Sequence, residues 1–302
     1  MRALYFEDVY KKFGRTYALQ GATFEIPRKV VAGLLGPNGA GKTTSIKIAT
    51  GLLKCNRGKV EVLGLDPWNN GVEARMKIGV LHEKPAYPPN VRVSKLLLHL
   101  AKLRGRNLRE VKRVATITGL EKYLEAKIRA LSRGYLQRLG LAQALLGDPE
   151  MLLLDEPTAN LDPLARMEIL NLIKNLRKEL DVTIIISSHI LLELQKVCDY
   201  AVFIGVGRIL DYGSMRDLAG RYGVEAILKI YSVKPRRLAS ILVREEYVEA
   251  IEIHDSYLIV RTQSGYWKNI EDKAFELGAE NVELTTANLE DMYKAVVSRY
   301  AF

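Results

Sequence analysis

Gly36 to Thr44 reads GPNGAGKTT, preceded by a short apolar run, Val30 to Leu35, and followed over Lys42 to Leu53 by apolar residues at helical spacing. Gly36, Gly41, Lys42 and Thr43 satisfy the spacing GxxxxGK(S/T) of a phosphate-binding loop set between a strand and a helix. Glycines let the backbone turn tightly enough to aim successive N–H groups at phosphate oxygens, and the helix that follows adds the positive end of its dipole. In that setting Lys42 neutralises β and γ oxygens, and the Thr43 hydroxyl is a ligand for Mg2+.

Outward from this loop, strands are expected at 59–63, 76–82, 151–155 and 182–188, and helical stretches between about 92 and 145 and again at 163–180. Such alternation predicts a buried parallel sheet with helices on its faces. The segment from Val202 to Tyr212, with glycines at its turn, reads as a hairpin closing a first domain over 1–219. Beyond Gly220 the pattern changes to strand 224–233, helix 235–243, strands 246–254 and 256–262, helix 266–278, strand 280–286 and helix 289–299. That order, βαββαβ plus one helix, predicts a ferredoxin-like second domain over 220–302.

The chain has 302 residues, enough for a large domain and a small one, and its 48% hydrophobic content supports a substantial core. Its longest apolar runs, such as Met151 to Leu154 and Val182 to Ile186, are far shorter than the roughly 20 residues needed to cross a bilayer. The start, MRALYFEDVYKK, lacks the pattern of a secretory signal, so a cytoplasmic protein is expected. Cys55 and Cys198 have no CxxC spacing and read as packing residues. From Gly220 onward there are 11 Lys+Arg against 13 Asp+Glu, so the net charge of +10 comes wholly from the first part. That excess either attracts an anionic surface or polyphosphate or is a solvated Lys/Arg bias; no nucleic-acid-binding module is evident, and no nucleic-acid partner is expected.

Three further segments carry candidate chemistry. Met151 to Asp155, MLLLD, brings a carboxylate to a strand end, suited to holding Mg2+, and Glu156 beside it is placed to act as a general base on an attacking water. His189 follows the apolar strand VTIIISS at its carboxyl end, where open α/β sheets bind ligands, and it can orient a γ-phosphate; His99 and His254 read as structural or solvated. Leu131-Ser132-Arg133-Gly134-Tyr135 precedes a helix and offers a hydroxyl and free N–H groups, as any capped helix also would.

Taken in order over residues 1–219, these pieces resemble the ATPase subunit of ABC transporters. GPNGAGKTT is similar to Walker A, LSRGY to the signature sequence, MLLLDE to Walker B, Ala159-Asn160-Leu161-Asp162 to the D-loop and Ser188-His189 to the H-loop. The resemblance implies an α/β fold with a P-loop NTPase-type, mainly parallel sheet, an antiparallel β part and a helical subdomain at about 88–148. It implies ATP and Mg2+ as ligands, with Asn38, Gly39, Ala40, Gly41, Lys42, Thr43 and Thr44 around the phosphates, Thr43 and Asp155 at the metal, and Glu156, His189 and Lys42 as the catalytic set. It also implies a second copy, or a homologous ATPase subunit, in a head-to-tail ATP sandwich, in which Ser132 and Gly134 of one chain contact the γ-phosphate held by the other and Asp162 of the D-loop is among the nucleotide-binding residues. A separate integral membrane subunit would couple hydrolysis to transport, with the chain peripheral on the cytoplasmic face.

The family's adenine-stacking aromatic matches Phe13 better than Tyr17 by its distance from Lys42, although either ring could be core. Glu83 stands where the Q-loop has glutamine, and a carboxylate there could reach Mg2+ directly. In the signature, Arg133 and Tyr135 replace the common Gly and Gln. Pro85 to Asn90, PAYPPN, either couples to the membrane subunit or is only a turn. The region from Gly220, ending LEDMYKAVV, resembles the extension of ATPases serving ABC-2 type exporters and points to export; its role is regulatory, dimer-stabilising, protein-binding or purely structural. A soluble ABC ATPase of translation or DNA repair is the competing class, but this chain has neither the paired cassettes nor the long coiled coil typical of those.

Overall fold

The computed structural model describes residues 1–222, 226–263, 265–287 and 289–300, so the first two residues of the strand expected over 224–233 lie outside the described residues. Two compact units emerge: Met1–His189 with Val197–Tyr212, and Ile190–Lys196 with Gly213–Phe302.

The first unit opens with strands β1 (Arg2–Phe13), β2 (Thr16–Pro27) and β3 (Val31–Leu35), helix α1 (Lys42–Ala49), β4 (Arg57–Val62), α2 (Gly71–Lys77) and β5 (Ile78–Leu81). Helices α3 (Val93–Leu103), α4 (Leu108–Thr118) and α5 (Arg133–Leu145) follow, with short 3-10 turns at Glu121–Tyr123 and Ile128–Ala130 between the last two. Then come β6 (Met151–Asp155), α6 (Pro163–Leu180), β7 (Thr183–Ser188), the short α7 (Leu191–Leu194) that belongs to the second unit, and the hairpin β8 (Tyr200–Gly205) and β9 (Arg208–Ser214).

The main sheet has the order β5-β6-β7-β3-β8-β9, with the pairs from β5 to β8 parallel. Every residue of β3, β6 and β7 is buried, which is why these strands read as continuous apolar runs instead of alternating ones. A second sheet, β2-β1-β4, is antiparallel and turns Phe6, Phe24 and Ile26 into a core shared with Leu34, Ile46 and Ile48. The Phe6 and Phe24 rings stack at 4.7 Å across the β1–β2 pair.

Three boundaries differ from the sequence pattern for local reasons. Helix α1 stops at Ala49, not Leu53, because Gly51 adopts the left-handed φ of 67°, and the N–H groups of Gly51 and Leu52 return to the carbonyls of Ile48 and Lys47 at 2.9 and 3.0 Å. A Cβ at Gly51 would lie 2.0 Å from the Pro67 carbonyl oxygen, so only glycine fits. The strand expected at 76–82 begins at Ile78, where pairing with Met151 starts; Gly71–Lys77 forms α2 with an ion pair between Glu73 and Lys77. The strand expected at 59–63 starts at Arg57, opposite Tyr10, and ends at Val62, before the left-handed Leu63.

The second unit holds α8 (Met215–Tyr222), which the sequence pattern leaves unassigned, then β10 (Ala226–Tyr231), α9 (Pro235–Leu242), β11 (Val248–Ile253), β12 (Tyr257–Thr262), α10 (Trp267–Glu276), β13 (Asn281–Ala287) and α11 (Leu289–Tyr300). From β10 onward the elements run in the expected order. Its sheet, β11-β12-β10-β13, is antiparallel throughout and packs Leu228, Ile230, Leu258 and Val260 against Leu238, Leu242 and Ile270. Among the described residues no helix is long and apolar enough to cross a membrane.

Candidate active site

Parallel pairing brings the chemistry-bearing ends of three strands to one edge. Leu35, the last residue of β3, pairs with Ser188 of β7, and Asp155, the last residue of β6, pairs with Ser187. The loop 36–41, the Asp155-Glu156 pair and His189 therefore all leave the sheet at its carboxyl edge, where open α/β sheets hold ligands. Gly41, at φ 113°, joins the loop to α1, and a Cβ there would lie 2.6 Å from the Ala18 carbonyl oxygen.

The Lys42 ammonium is almost wholly buried and folds back over the loop, donating to the carbonyls of Gly36 at 2.8 Å and Pro37 at 3.1 Å. It also stands 3.4 Å from Glu156 Oε1. The other Glu156 oxygen, Oε2, meets His189 Nδ1 at 3.0 Å, so one carboxylate links the lysine to the histidine. His189 keeps 41% of its side chain exposed while Glu156 keeps 11%, which leaves the imidazole as the solvent-facing end of this chain of contacts. Glu156 has a left-handed φ of 47°, a conformation that costs a non-glycine residue about 1–2 kcal/mol. Its N–H is held in return by the Ser187 hydroxyl at 2.9 Å and the Ser187 carbonyl at 3.2 Å.

Asp155 Oδ1 accepts from the Thr43 hydroxyl at 3.1 Å and from the Ser187 hydroxyl at 2.6 Å. Ser187 thus bridges both carboxylate residues, a role that sequence reading does not assign; its only signal is a hydroxyl at the end of an otherwise apolar strand. A carboxylate and an alcohol this close are hard oxygen donors of the kind Mg2+ takes, and they flank the start of α1.

The remaining candidates stand outside that set of hydrogen bonds and ion pairs. Asn38 and Gly39 are exposed at the loop tip, Ala40 is buried, and Thr44 is half-buried in the first turn of α1. Ser132 caps α5, accepting from the Tyr135 N–H, and Asp162 caps α6, accepting from the Ala165 N–H at 3.0 Å. Neither Ser132 nor Gly134 is bonded within this chain to Lys42, Thr43, Asp155, Glu156 or His189 among the described residues. Glu83 pairs with Lys84 at 3.6 Å and lines a pocket of about 400 Å³ with Arg133, Gln137 and Asn160. No hydrogen bond or ion pair joins it to Thr43 or Asp155 among the described residues. Phe13 and Tyr17 are both exposed rings at the β1–β2 turn, each with a lysine over its face: Lys11 at 5.2 Å and Lys12 at 5.0 Å.

Comparison with known proteins bears on this site. The ABC transporter family matches residues 19–159. The bacitracin transport ATP-binding protein BcrA of Bacillus licheniformis is 31% identical over 96% of this chain and 95% of its own length. The Nod factor export ATP-binding protein I of Rhizobium etli is 34% identical over 84% of this chain and 80% of its own. The linearmycin resistance ATP-binding protein LnrL of Bacillus subtilis is 27% identical over 97% of each. Among solved structures, the ATP-binding subunit of an ABC transporter matches with a TM-score of 0.65 at 27% identity, covering 73% of this chain and 93% of its own. A dimeric ATP-binding cassette solved in a post-hydrolysis state with ADP and Pi matches with a TM-score of 0.63 at 22% identity, covering 70% of this chain and 98% of its own, a likeness of fold.

Proposed function

The chain belongs to the ABC transporter family as an ATP-binding, ATPase subunit, and on that premise we propose that two copies close head to tail on ATP and drive export through a separate membrane-spanning subunit. The observation that carries the reading is the contact chain Lys42–Glu156–His189 beside Thr43 and Asp155 at the sheet's carboxyl edge. Incoming phosphates take over the Lys42 ammonium from the Gly36 and Pro37 carbonyls, supported by the loop N–H groups and the start of α1. Thr43 and Asp155 would hold a magnesium ion, which supplies charge neutralisation at the β and γ oxygens when bound.

With Lys42 drawn to phosphate, the Glu156 carboxylate is free to take a proton from the attacking water. His189, across Glu156 and open to solvent, orients the γ-phosphate against that base. Ser132 and Gly134, at the exposed start of α5, act on the ATP held by the partner copy. Asp162, at the start of α6, joins the nucleotide contacts, Phe13 stacks on the base, and Glu83, which is not bonded to Thr43 or Asp155 among the described residues, reaches the metal only if its loop moves on closure. Work comes from closure, and hydrolysis resets it.

Export as the direction is supported by the Nod factor export ATP-binding protein I, which is 34% identical over 84% of this chain. A cytoplasmic, membrane-peripheral location follows from the partner subunit this reading requires. The test is MgATP hydrolysis by the chain assembled with its membrane subunit. Glu156→Gln should lower turnover by about 10²–10⁴-fold while ATP binding persists; equal turnover in both proteins sinks the assignment.

A further inference from the structure

The first turn of α5 carries the proposed trans contact; its backbone is closed by the Leu136 N–H on the Ser132 carbonyl at 2.9 Å, while the Ser132 side chain is loosely held. Ser132 and Arg133 are exposed, and the Tyr135 N–H reaches Ser132 Oγ only at 3.4 Å, well beyond the usual 2.9–3.0 Å. A second hold on the turn comes from the Tyr135 side chain. Its half-buried ring lies 4.1 Å from the Tyr123 ring at a 41° tilt. One turn further on, the Arg138 guanidinium sits 5.8 Å over the Tyr135 ring.

Arg138 is itself fixed at both ends. It donates to the Thr118 carbonyl at 2.9 Å, at the end of α4, and to Glu168 of α6 at 2.9 Å. The Tyr123–Tyr135–Arg138 stack therefore ties the Ser132 turn to the 3-10 turn at Glu121–Tyr123, to α4 and to the helix that starts at Asp162.

We infer that Tyr135 is a positioning residue: clamped between Tyr123 and Arg138, it holds Ser132 in the orientation needed to meet the γ-phosphate of the partner's ATP. The inference rests on the composite-site reading proposed above. A tyrosine at this position is consequently a substitute with a function of its own, since its ring supplies from the side the order that the long Ser132 bond does not supply.

The experiment uses the full chain carrying Glu156→Gln, in which loss of the proposed base should let ATP-closed dimers accumulate, and reads the ATP concentration for half-maximal dimerisation by light scattering. Tyr135→Ala should raise that concentration about three- to tenfold, the worth of a ring pair, and Tyr123→Leu should do the same from outside α5. Tyr135→Phe, which keeps the stack, should stay within about twofold of the parent. ATP affinity of the dilute monomer should not move in any of them, which separates positioning from general damage to the fold. Unchanged closure in both Tyr135→Ala and Tyr123→Leu, with closure lost in Ser132→Ala, overturns the inference alone. Failure of Tyr135→Phe alongside Tyr135→Ala also overturns it, because the ring would not be the operative feature. If Ser132→Ala closes normally, the composite-site reading itself falls.

Discussion

At the scale of single residues, Ser187 decides how the two carboxylates are presented. Its hydroxyl donates to Asp155 and accepts the Glu156 N–H, so one atom satisfies a metal-side carboxylate and a strained backbone together. Ser187→Ala leaves a buried N–H with only the longer Ser187 carbonyl bond and deprives Asp155 of a donor. The expected cost is about 1–3 kcal/mol of stability, read by urea unfolding, with a higher Mg2+ concentration for half-maximal ATPase in the same variant. Normal unfolding and normal Mg2+ dependence would show the hydroxyl to be dispensable. Lys42 and Thr43 are legible in the sequence because they complete the GxxxxGK(S/T) spacing, and Asp155, Glu156 and His189 because carboxylates and an imidazole close apolar strands at the sheet's carboxyl edge. Ser187 is not, because its partners follow from the β6–β7 register, in which Asp155 falls opposite it, and register is a tertiary fact. The left-handed Glu156 is hidden for the same reason: nothing in LLLDEP marks the one non-glycine residue that the turn forces into that region.

Secondary-structure elements add two consequences of their own. The two-residue turn between β8 and β9 is Val206-Gly207, both left-handed, which suits a tight hairpin but strains a β-branched residue that is itself exposed. Val206→Asn keeps the turn and removes the strain, so the unfolding free energy should rise by about 1 kcal/mol in chemical denaturation, with ATPase unaffected. In the helical region, Glu110 of α4 is buried and accepts from Arg113 at 2.8 and 2.9 Å and from the Gly147 N–H at 2.9 Å. The Arg113 hydrogen bonds hold its pKa below the usual carboxylate value despite burial. A depressed folded-state pKa means that its stabilisation is complete above the unfolded value of about 4.3 and is lost as pH falls through the folded value. Glu110→Gln should therefore unfold more easily at neutral pH and show a flatter loss of stability on acidification, measured by urea titrations from pH 7 downward. The pattern of helices and strands was readable where a continuous apolar run or an apolar stripe marks it, as in β6, β7 and α6. It failed where a turn decides the boundary, as at Gly51, whose left-handed carbonyl-tight site ends α1 early, and at Gly71–Lys77, where a helix occupies what reads as the start of a strand.

For the molecule as a whole, a composite site makes a prediction that neither residues nor elements can make. In a head-to-tail dimer each ATP takes its phosphate loop from one copy and its Ser132 from the other, so Lys42→Ala and Ser132→Ala are expected to be inactive as pure dimers for different reasons. A mixed dimer contains one site with both lesions and one with neither, because the Ser132→Ala copy contributes an intact Lys42 and the Lys42→Ala copy an intact Ser132. Equal mixing makes half the dimers mixed, and one of the two sites in each is whole, so roughly a quarter of the wild-type sites should return if pairing is random and the sites act independently. The assay is ATP hydrolysis by the assembled complex after mixing the two variants and allowing exchange, with each variant alone as the control. Recovery requires that Ser132 act across the interface. Activity that stays at the level of the separate variants, with mixed dimers demonstrated by differential tagging, would place Ser132 on its own chain's nucleotide or on none, and the exposed turn that the Tyr123–Tyr135 pair holds would need another purpose.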